Sequence, residues 1–534
     1  MTTERTGRAL ARGVRSAVLG GLSGLLAAGA ALGVAQLVAG FTGPAGEPVL
    51  AVGGTAIDLT PVPVKDFAIA HFGSHDKAVL LGGILVMVAI FAMGTGIAAR
   101  RWIGYGLAGL AVFGALGVAA ALSRPVSGPV DAAPAVVGAA AGAAVLFLLA
   151  RAAVDPSRTA AGPGPQPVRP RPAGQSQGDW PGRRRFLLTA AGAAVLAAGG
   201  AGLGQVLLGR FSVAAARDQI RLPAPAVTRP PVPPGAQLRV PGISAFTTPN
   251  ASFYRVDTAL SLPQVPPEQW RLRVHGMVAR ELDISFGELL RRPLTEADIT
   301  LACVSNQVGG PYVGNARWLG ASLAALLRAA GVRRGADQIL STSADGWTCG
   351  TPIETVLDGR DALLAVGMNG QPLPVAHGFP ARMVVPGLYG YVSATKWVTD
   401  LEITTFAAQR AYWVQRGYAA QAPIKTESRI DVPKPLAQLK AGRTAVAGVA
   451  WAPHRGLDAV QVRAGNGPWQ QARLAAVPGL DTWRQWVWLW DATPGLHQLQ
   501  VRATDGTGAI QPARRVPIFP NGATGRDTVT VTVT

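Results

Sequence analysis

Four stretches within the first 210 residues contain no Asp, Glu, Lys or Arg: roughly 16–41, 78–99, 103–123 and 186–209. Each reaches the roughly 20 apolar residues that a helix needs to cross a bilayer. A fifth stretch, 132–150, is shorter, rich in Ala and carries Pro134. A helix on the surface of a soluble domain shows one polar face, and these stretches show none. They therefore point to a helical membrane region of five spans, and whatever chemistry the chain performs must be placed around it.

The Lys and Arg residues between the stretches set an orientation. Arg5, Arg8, Arg12 and Arg15 precede the first stretch, and Arg100 and Arg101 separate the second from the third. Arg151, Arg158, Arg169, Arg171 and Arg183 to Arg185 lie between the fourth and the last. The opposite side has only Lys65, Lys77 and Arg124. Five spans with the N-terminus inside satisfy this asymmetry at every connection. The expectation is a multi-pass plasma-membrane protein whose residues beyond 210 lie outside the cytoplasm. Much of the net charge of +19 is then a topology signal. No basic-aromatic stripe or DNA-reading motif accompanies it, which argues against a nucleic-acid partner.

The segment "GRRRFLLTAAGAAVLAAGG" (182–200) resembles a twin-arginine export signal, with Arg183 and Arg184 just before Phe186 and Leu187. That route carries folded proteins and suits a domain that receives its cofactor before export. Here the motif is internal, and the expected outcome is a retained anchor. A transmembrane haem needs axial ligands, and of six histidines only His71 and His75 lie in this half. They sit in the expected outer loop 64–77, at a spacing that would share one helix face, and make no haem site.

The chain divides as follows. Residues 1–153 hold four spans, 154–185 a Pro- and Gly-rich cytoplasmic linker, 186–210 the fifth span and 211–235 a semi-rigid Pro-rich spacer. From 236 to 430 short β-like runs alternate with a few helices, such as 286–292 and 319–330. From 431 to 534 alternating runs such as "LDAVQVRA" and "RQWVWLW" predict an all-β sandwich. Only two cysteines are present, Cys303 and Cys349. A core thiol, a disulfide and a metal ligand are all open for Cys303 on the residues alone.

Four blocks decide among these. They are "NASFYRVDTALSLP" (250–263), "ITLACVSNQVGGPYVGNARWLGASLAALLRAAGV" (299–332), "MNGQPLPVAHGFPARMVVPGLYGYVSATKW" (368–397) and "GYAAQAPIKTESRIDVP" (417–433). In this order they resemble the sulfite oxidase family of molybdopterin enzymes, in a membrane-anchored bacterial branch. The resemblance implies an α+β molybdopterin domain followed by an immunoglobulin-like sandwich, which in the family often forms homodimers. It implies molybdopterin and its Mo as cofactor, and oxygen-atom transfer on a small-molecule substrate.

By the same resemblance Cys303 is the metal ligand, a soft thiolate suited to a redox metal. Asn250, Tyr254, Arg255, Asp257, Asp345, His377, Arg382, Thr395 and Lys396 would contact the cofactor, the cations serving its phosphate. The family often has His where Asp257 stands. Arg255 and Tyr418 would face the substrate. Sulfite oxidases carry an Arg shortly after the Asn of the Cys block, where this chain has Gln307 and Val308. That departure favours as alternative an S-oxide or N-oxide reductase of the same fold. A second alternative is a non-catalytic membrane protein presenting an immunoglobulin-like module. The chain shows no haem, iron–sulfur or flavin motif, so electrons would pass to an external partner, a cytochrome or a quinone-linked protein.

Overall fold

A computed structural model of the chain describes residues 2–72, 75–124, 127–152 and 180–534. Most of the linker expected at 154–185 lies outside the described residues. The described chain falls into two units, 1–212 with 258–261, and 213–257 with 262–534.

The first unit is helical. Its helices are α1 (Thr2–Thr42), α2 (Pro48–Leu59), α3 (Val62–Phe72), α4 (Asp76–Ala99), α5 (Ile103–Leu122), α6 (Ala133–Ala152) and α7 (Trp180–Leu208). By length and composition five windows could cross a membrane: Ser16–Thr42, Lys77–Ala99, Ile103–Leu122, Pro129–Ala152 and Arg184–Gln219. The short Ala-rich stretch is thus a full helix, with Pro134 tolerated in its first turn, where the missing N–H has no helical partner to lose.

Helix α1 packs against α4, α6 and α7. The contact surfaces are glycine and alanine, so backbones meet directly. A Cβ on Gly24 would fall 1.8 Å from the Ala92 carbonyl oxygen, and one on Gly33 would fall 2.3 Å from that of Ala197. Two local expectations change. The outer loop is largely helical as α3, where His71 Nδ1 bonds to the Phe67 carbonyl oxygen at 2.9 Å. His75 is the N-cap of α4 and belongs to a different helix, so the two histidines share no helix face.

The second unit starts with α8 (Ala214–Gln219). The Pro-rich stretch after it is not a spacer. Ala226 and Val227 N–H both donate to the Leu294 carbonyl oxygen, and Arg217 donates to the carbonyls of Pro372 and Leu373 at 2.8 Å each. Extended Pro-rich backbone needs few partners of its own, so it can lie along a strand.

The next strands are β1 (Arg271–Gly276), β2 (Leu282–Ser285), β3 (Leu294–Ala302), β4 (Val313–Ser322), β5 (Gln338–Ser343), β6 (Thr348–Pro352), β7 (Leu363–Met368), β8 (Gln371–Pro372), β9 (Arg382–Val384) and β10 (Val398–Thr404). One sheet runs β3-β4-β7-β8 with β9 also on β7, and a second runs β2-β1-β10-β5-β6. Helix α9 (Phe286–Leu290) matches expectation. The helix expected at 319–330 begins later, as α10 (Leu323–Ala330). Residues 319–322 remain in β4 because they pair with β7, and the Ser322 hydroxyl then caps α10 by accepting the Ala325 N–H.

The remaining strands are β11 (Glu427–Val432), β12 (Gln438–Leu439), β13 (Gly442–Trp451), β14 (Leu457–Ala464), β15 (Gln470–Gln471), β16 (Arg473–Leu474), β17 (Arg484–Ala492), β18 (Gly495–Asp505) and β19 (Thr528–Val533). They form the sheets β11-β13-β17-β16 and β12-β19-β18-β14-β15. Both sheets feed one apolar core, with Val446, Trp486 and Trp490 from the first and Val460, Val501 and Val531 from the second. The alternating runs of the sequence are β13, β14, β17, β18 and β19. The first strand of this region, β11, already begins at Glu427.

Candidate active site

Cys303 follows the last residue of β3, and the loop from 303 to 312 returns the chain to β4. The loop is closed by its own hydrogen bonds. Cys303 N–H donates to the Tyr312 carbonyl at 2.9 Å, Asn306 N–H to the Cys303 carbonyl at 3.0 Å, and Tyr312 N–H to Asn306 Oδ1 at 2.8 Å. Gly309 has a φ of +78°, and a Cβ there would fall 2.6 Å from Asp527 Oδ1, so the turn needs glycine twice over. The result is a half-buried thiol fixed at the end of a strand. Burial pushes the Cys303 thiol up, against the Ser305 N–H at 3.4 Å from Sγ and the Lys396 charge. Both cysteines are free, which removes the disulfide. Among the described residues no three His, Cys, Asp or Glu side chains group as a protein-only metal cage.

A second group of residues gathers around β9. Arg382 is buried, its guanidinium 5.1 Å from the Trp318 ring centroid. It donates to the carbonyl oxygens of His377 at 3.1 Å and Ala394 at 3.4 Å. No carboxylate pairs with it among the described residues, and burial lowers its pKa to about 10. Lys396 is lowered to about 8 by burial, although it bonds to Asp257. Arg255 grips the same carboxylate with two bonds, Nε at 2.9 Å and Nη2 at 3.1 Å. Two cations therefore share the Asp257 carboxylate, and Arg382 stands apart from it.

His377 Nε2 donates to the Asn250 carbonyl oxygen at 3.1 Å. A carbonyl only accepts, so the proton sits on Nε2 and Nδ1 remains an acceptor. Burial, then the Arg382 and Lys396 charges, lower His377 to about 4, and the ring is neutral at neutral pH. Asn250 is spent on the protein: its Oδ1 accepts from Asn369 at 2.8 Å and its Nδ2 donates to the Met368 carbonyl. Tyr254 stacks on Phe253 at 5.2 Å, and its hydroxyl is pushed up by burial and by Cys303.

Three further expected residues make contacts of their own within the protein. Thr395 is fully buried, and its hydroxyl bonds to Ser341 at 2.7 Å, in a polar pocket with Thr351 and Cys349. Asp345 accepts the Trp347 N–H at 3.1 Å and closes its own turn. Tyr418 lies in an aromatic cluster with Tyr391, Trp413 and Phe519, at 5.2 to 5.6 Å between centroids.

Two residues stand beside Cys303 that the sequence did not single out. Tyr389 is buried, and its hydroxyl is pushed up by burial, by Glu427 and by Cys303. Glu427 is 3% exposed, and its Oε1 has no hydrogen-bond partner in the geometry. Asn306 Nδ2, on the Cys303 loop, is also buried and unbonded, yet Asn306 is the side chain that most favours the Glu427 carboxylate. We read them as a loose donor–acceptor pair. Burial still raises Glu427 to about 8, against Asn306 and Lys425. The tyrosine was readable in "GLYGYV". The glutamate was not, since only the fold buries it.

The site suits a large anionic cofactor with a soft-metal end. It has one cysteine sulfur, a neutral imidazole acceptor and a surplus of buried positive charge.

Residues 259–413 match the model of the oxidoreductase molybdopterin binding domain. Sulfite oxidase of Gallus gallus is 30% identical over 328 residues, covering 51% of this chain and 70% of that protein. Mitochondrial sulfite oxidase of Mus musculus is 28% identical over 325 residues, covering 51% of this chain and 59% of that one. The chain thus spans less than two thirds of the mouse protein. The uncharacterized oxidoreductase YuiH of Bacillus subtilis is 32% identical over 150 residues, covering 28% of this chain and 72% of its own length.

Proposed function

The chain belongs to the sulfite oxidase family of molybdopterin-dependent oxidoreductases, and from that premise we propose that it is a membrane-anchored enzyme transferring an oxygen atom to or from a small substrate at Cys303. Family membership makes it a molybdenum-dependent oxidoreductase using the molybdenum cofactor and sets aside the non-catalytic reading. When bound, that cofactor supplies two-electron oxygen-atom transfer. In this reading Cys303 contributes the protein thiolate. Arg382 and Lys396 balance the cofactor's phosphate, and His377 accepts a hydrogen bond at Nδ1. Tyr254 flanks the thiolate and shields it from water. Asn250 holds His377 in its tautomer. Thr395 and Asp345 support the walls, and Tyr418 backs the substrate side. The observation that carries this reading is Arg382, a buried cation with no carboxylate partner among the described residues, in the company of Lys396.

The charge balance also bears on the substrate. Arg255 is held bidentately by Asp257. Gln307 and Val308 stand where a substrate-binding arginine is expected in sulfite oxidases. A sulfite dianion would find little uncommitted charge, so the substrate class favoured is a neutral S-oxide or N-oxide, reduced with electrons from a separate partner.

The apolar helical unit would serve as the bilayer anchor, with the catalytic unit outside the cytoplasm and Arg183 and Arg184 acting in export. The two C-terminal sheets would be the family's immunoglobulin-like sandwich and the seat of a homodimer. The test is metal analysis with a substrate screen using artificial electron carriers. We expect one molybdenum per chain, lost in Cys303→Ser, and faster sulfoxide or N-oxide reduction than sulfite oxidation. A chain that stays metal-free when the cofactor pathway is intact sinks the proposal.

A further inference from the structure

Between α1, α2, α4, α5 and α6 the helical unit has an open apolar cavity of about 620 Å³, with wall residues such as Met87 and Leu116 largely exposed. That is within the range of small-molecule sites, roughly 300–1,000 Å³. Its walls include Leu32, Val52, Gly83, Met87, Phe113 and Gly117, and no lining side chain is ionisable. An open apolar cavity of this size, with no ionisable side chain in its walls, offers a hydrocarbon chain a seat that a polar ligand would not find.

Polar groups gather next to two of the lining positions. Gln36 lies one turn after Leu32 on α1, and its Nε2 donates to Gln205 Oε1 at 3.2 Å. Glu47 directly precedes Pro48, another lining residue. Burial raises the Glu47 carboxyl, against a hydrogen bond with Gln36. A tail-shaped apolar space beside a cluster of two amides and a carboxyl matches an amphiphile with a small, hydrogen-bonding head. A phospholipid head is larger and charged. It also gains little from a carboxyl that burial holds toward its neutral form.

We infer that this cavity binds a membrane quinone, its isoprenoid tail among the apolar walls and its carbonyl head at Gln36, Glu47 and Gln205. The inference deepens the proposed function, since it names the chemical class of the electron partner. The balance closes: a quinol gives up two electrons and two protons to become quinone, and reduction of an S-oxide or N-oxide consumes both, releasing the reduced substrate and one water. Glu47, held toward its neutral form by burial, is the group placed to donate a hydrogen bond to a quinone carbonyl.

Gly83 offers the cleanest test. A Cβ there meets nothing within 4 Å, and a larger residue costs the helix nothing in propensity. Gly83→Phe should fill the cavity while the fold persists. The full chain would be purified in mild detergent, its bound lipids extracted and identified, and the protein titrated with ubiquinone-1, menaquinone and, in parallel, phosphatidylglycerol. We expect co-purifying quinone in the wild type, at least tenfold less in Gly83→Phe at unchanged thermal midpoint, and weaker head-group binding in Glu47→Gln. Phospholipid alone in the extract, or quinone affinity unchanged in a folded Gly83→Phe, overturns the inference. Should Gly83→Phe fail to fold, Gly83→Leu and photolabelling with an azidoquinone decide, and labels outside α1, α2, α4, α5, α6, Glu47 and the Gln205 turn of α7 count against it. None of these readouts needs turnover. A failed substrate screen would leave the quinone site standing, and a failed quinone titration would leave the molybdenum site standing.

Discussion

In the helical unit the buried residues are small and the exposed ones large, and in the catalytic unit the order is reversed. Ala27, Ala30, Ala31, Ala35 and Ala39 line the inside of α1, while Val206, Met87 and Leu116 are 73%, 67% and 62% exposed. In the catalytic unit the fully buried side chains include Trp270, Trp318, Trp397, Trp451, Trp483 and Trp486. Water drives large apolar groups inward, so a water-soluble core fills with them. In hydrocarbon that drive is absent, and helices associate by close backbone approach at small residues. The contrast is the one that two different solvents would produce, and it supports the proposed bilayer anchor. The comparison teaches that hydrophobicity alone does not say where a residue goes. The surrounding medium decides it.

The comparison can be broken or sharpened by substitution. The largest effect should be on chemistry. Cys303→Ser should lower turnover at least ~1,000-fold, about 4 kcal/mol of barrier, without moving the thermal midpoint of the cofactor-free protein. Turnover assays and calorimetry check this together. Next, Trp486→Ala should cost the catalytic unit ~3–5 kcal/mol, as large-to-small changes in a water-driven core do. In the helical unit the inverse change should be the damaging one. Gly24→Leu should disrupt the bundle, because Ala92 occupies the space, whereas Val206→Ala should stay within ~0.5 kcal/mol. Unfolding in detergent measures both, and a costly Val206→Ala would overturn the contrast.

Arg382→Met should act with opposite sign in two states. Cofactor-free protein should gain stability, because a buried uncompensated charge is removed, while cofactor retention should fall at least tenfold. The smallest effect concerns Glu427, which faces Asn306, Lys425, Asp527 and Arg429. Its folded pKa is raised to about 8 from the usual 4.5. The folded state therefore binds the proton more tightly than the unfolded chain. Stability should be highest below pH ~4.5 for this group and decline as pH rises toward 8. Glu427→Gln should flatten that decline, read as thermal midpoint against pH.

Much of the fold was legible because periodicity reports environment. Uncharged runs marked the long helices, and alternation marked β13, β14, β17, β18 and β19. Errors arose where pairing across the chain outweighed local signals. Residues 319–322 read as helix but stay in β4 because β7 claims their hydrogen bonds. The stretch after α8 read as a spacer but lies along β3. Cys303, His377, Arg382 and Lys396 were named through motif order, and the fold sets them near one another. Thr395 came with the same motif, yet its hydroxyl joins Ser341 on β5, an orientation that neighbouring letters do not encode.

By itself the sequence determined which residues must avoid water and which cysteine stands in the family's metal-ligand position. These properties depend on residue type and order, and both are local. Only the tertiary structure decided that Arg382 is buried with no carboxylate beside it among the described residues, that Arg255 and Lys396 share Asp257, and that Glu427 sits against Asn306 of the Cys303 loop. Those facts depend on burial and on partners distant in the chain, and electrostatic energies follow such distances, not sequence neighbours.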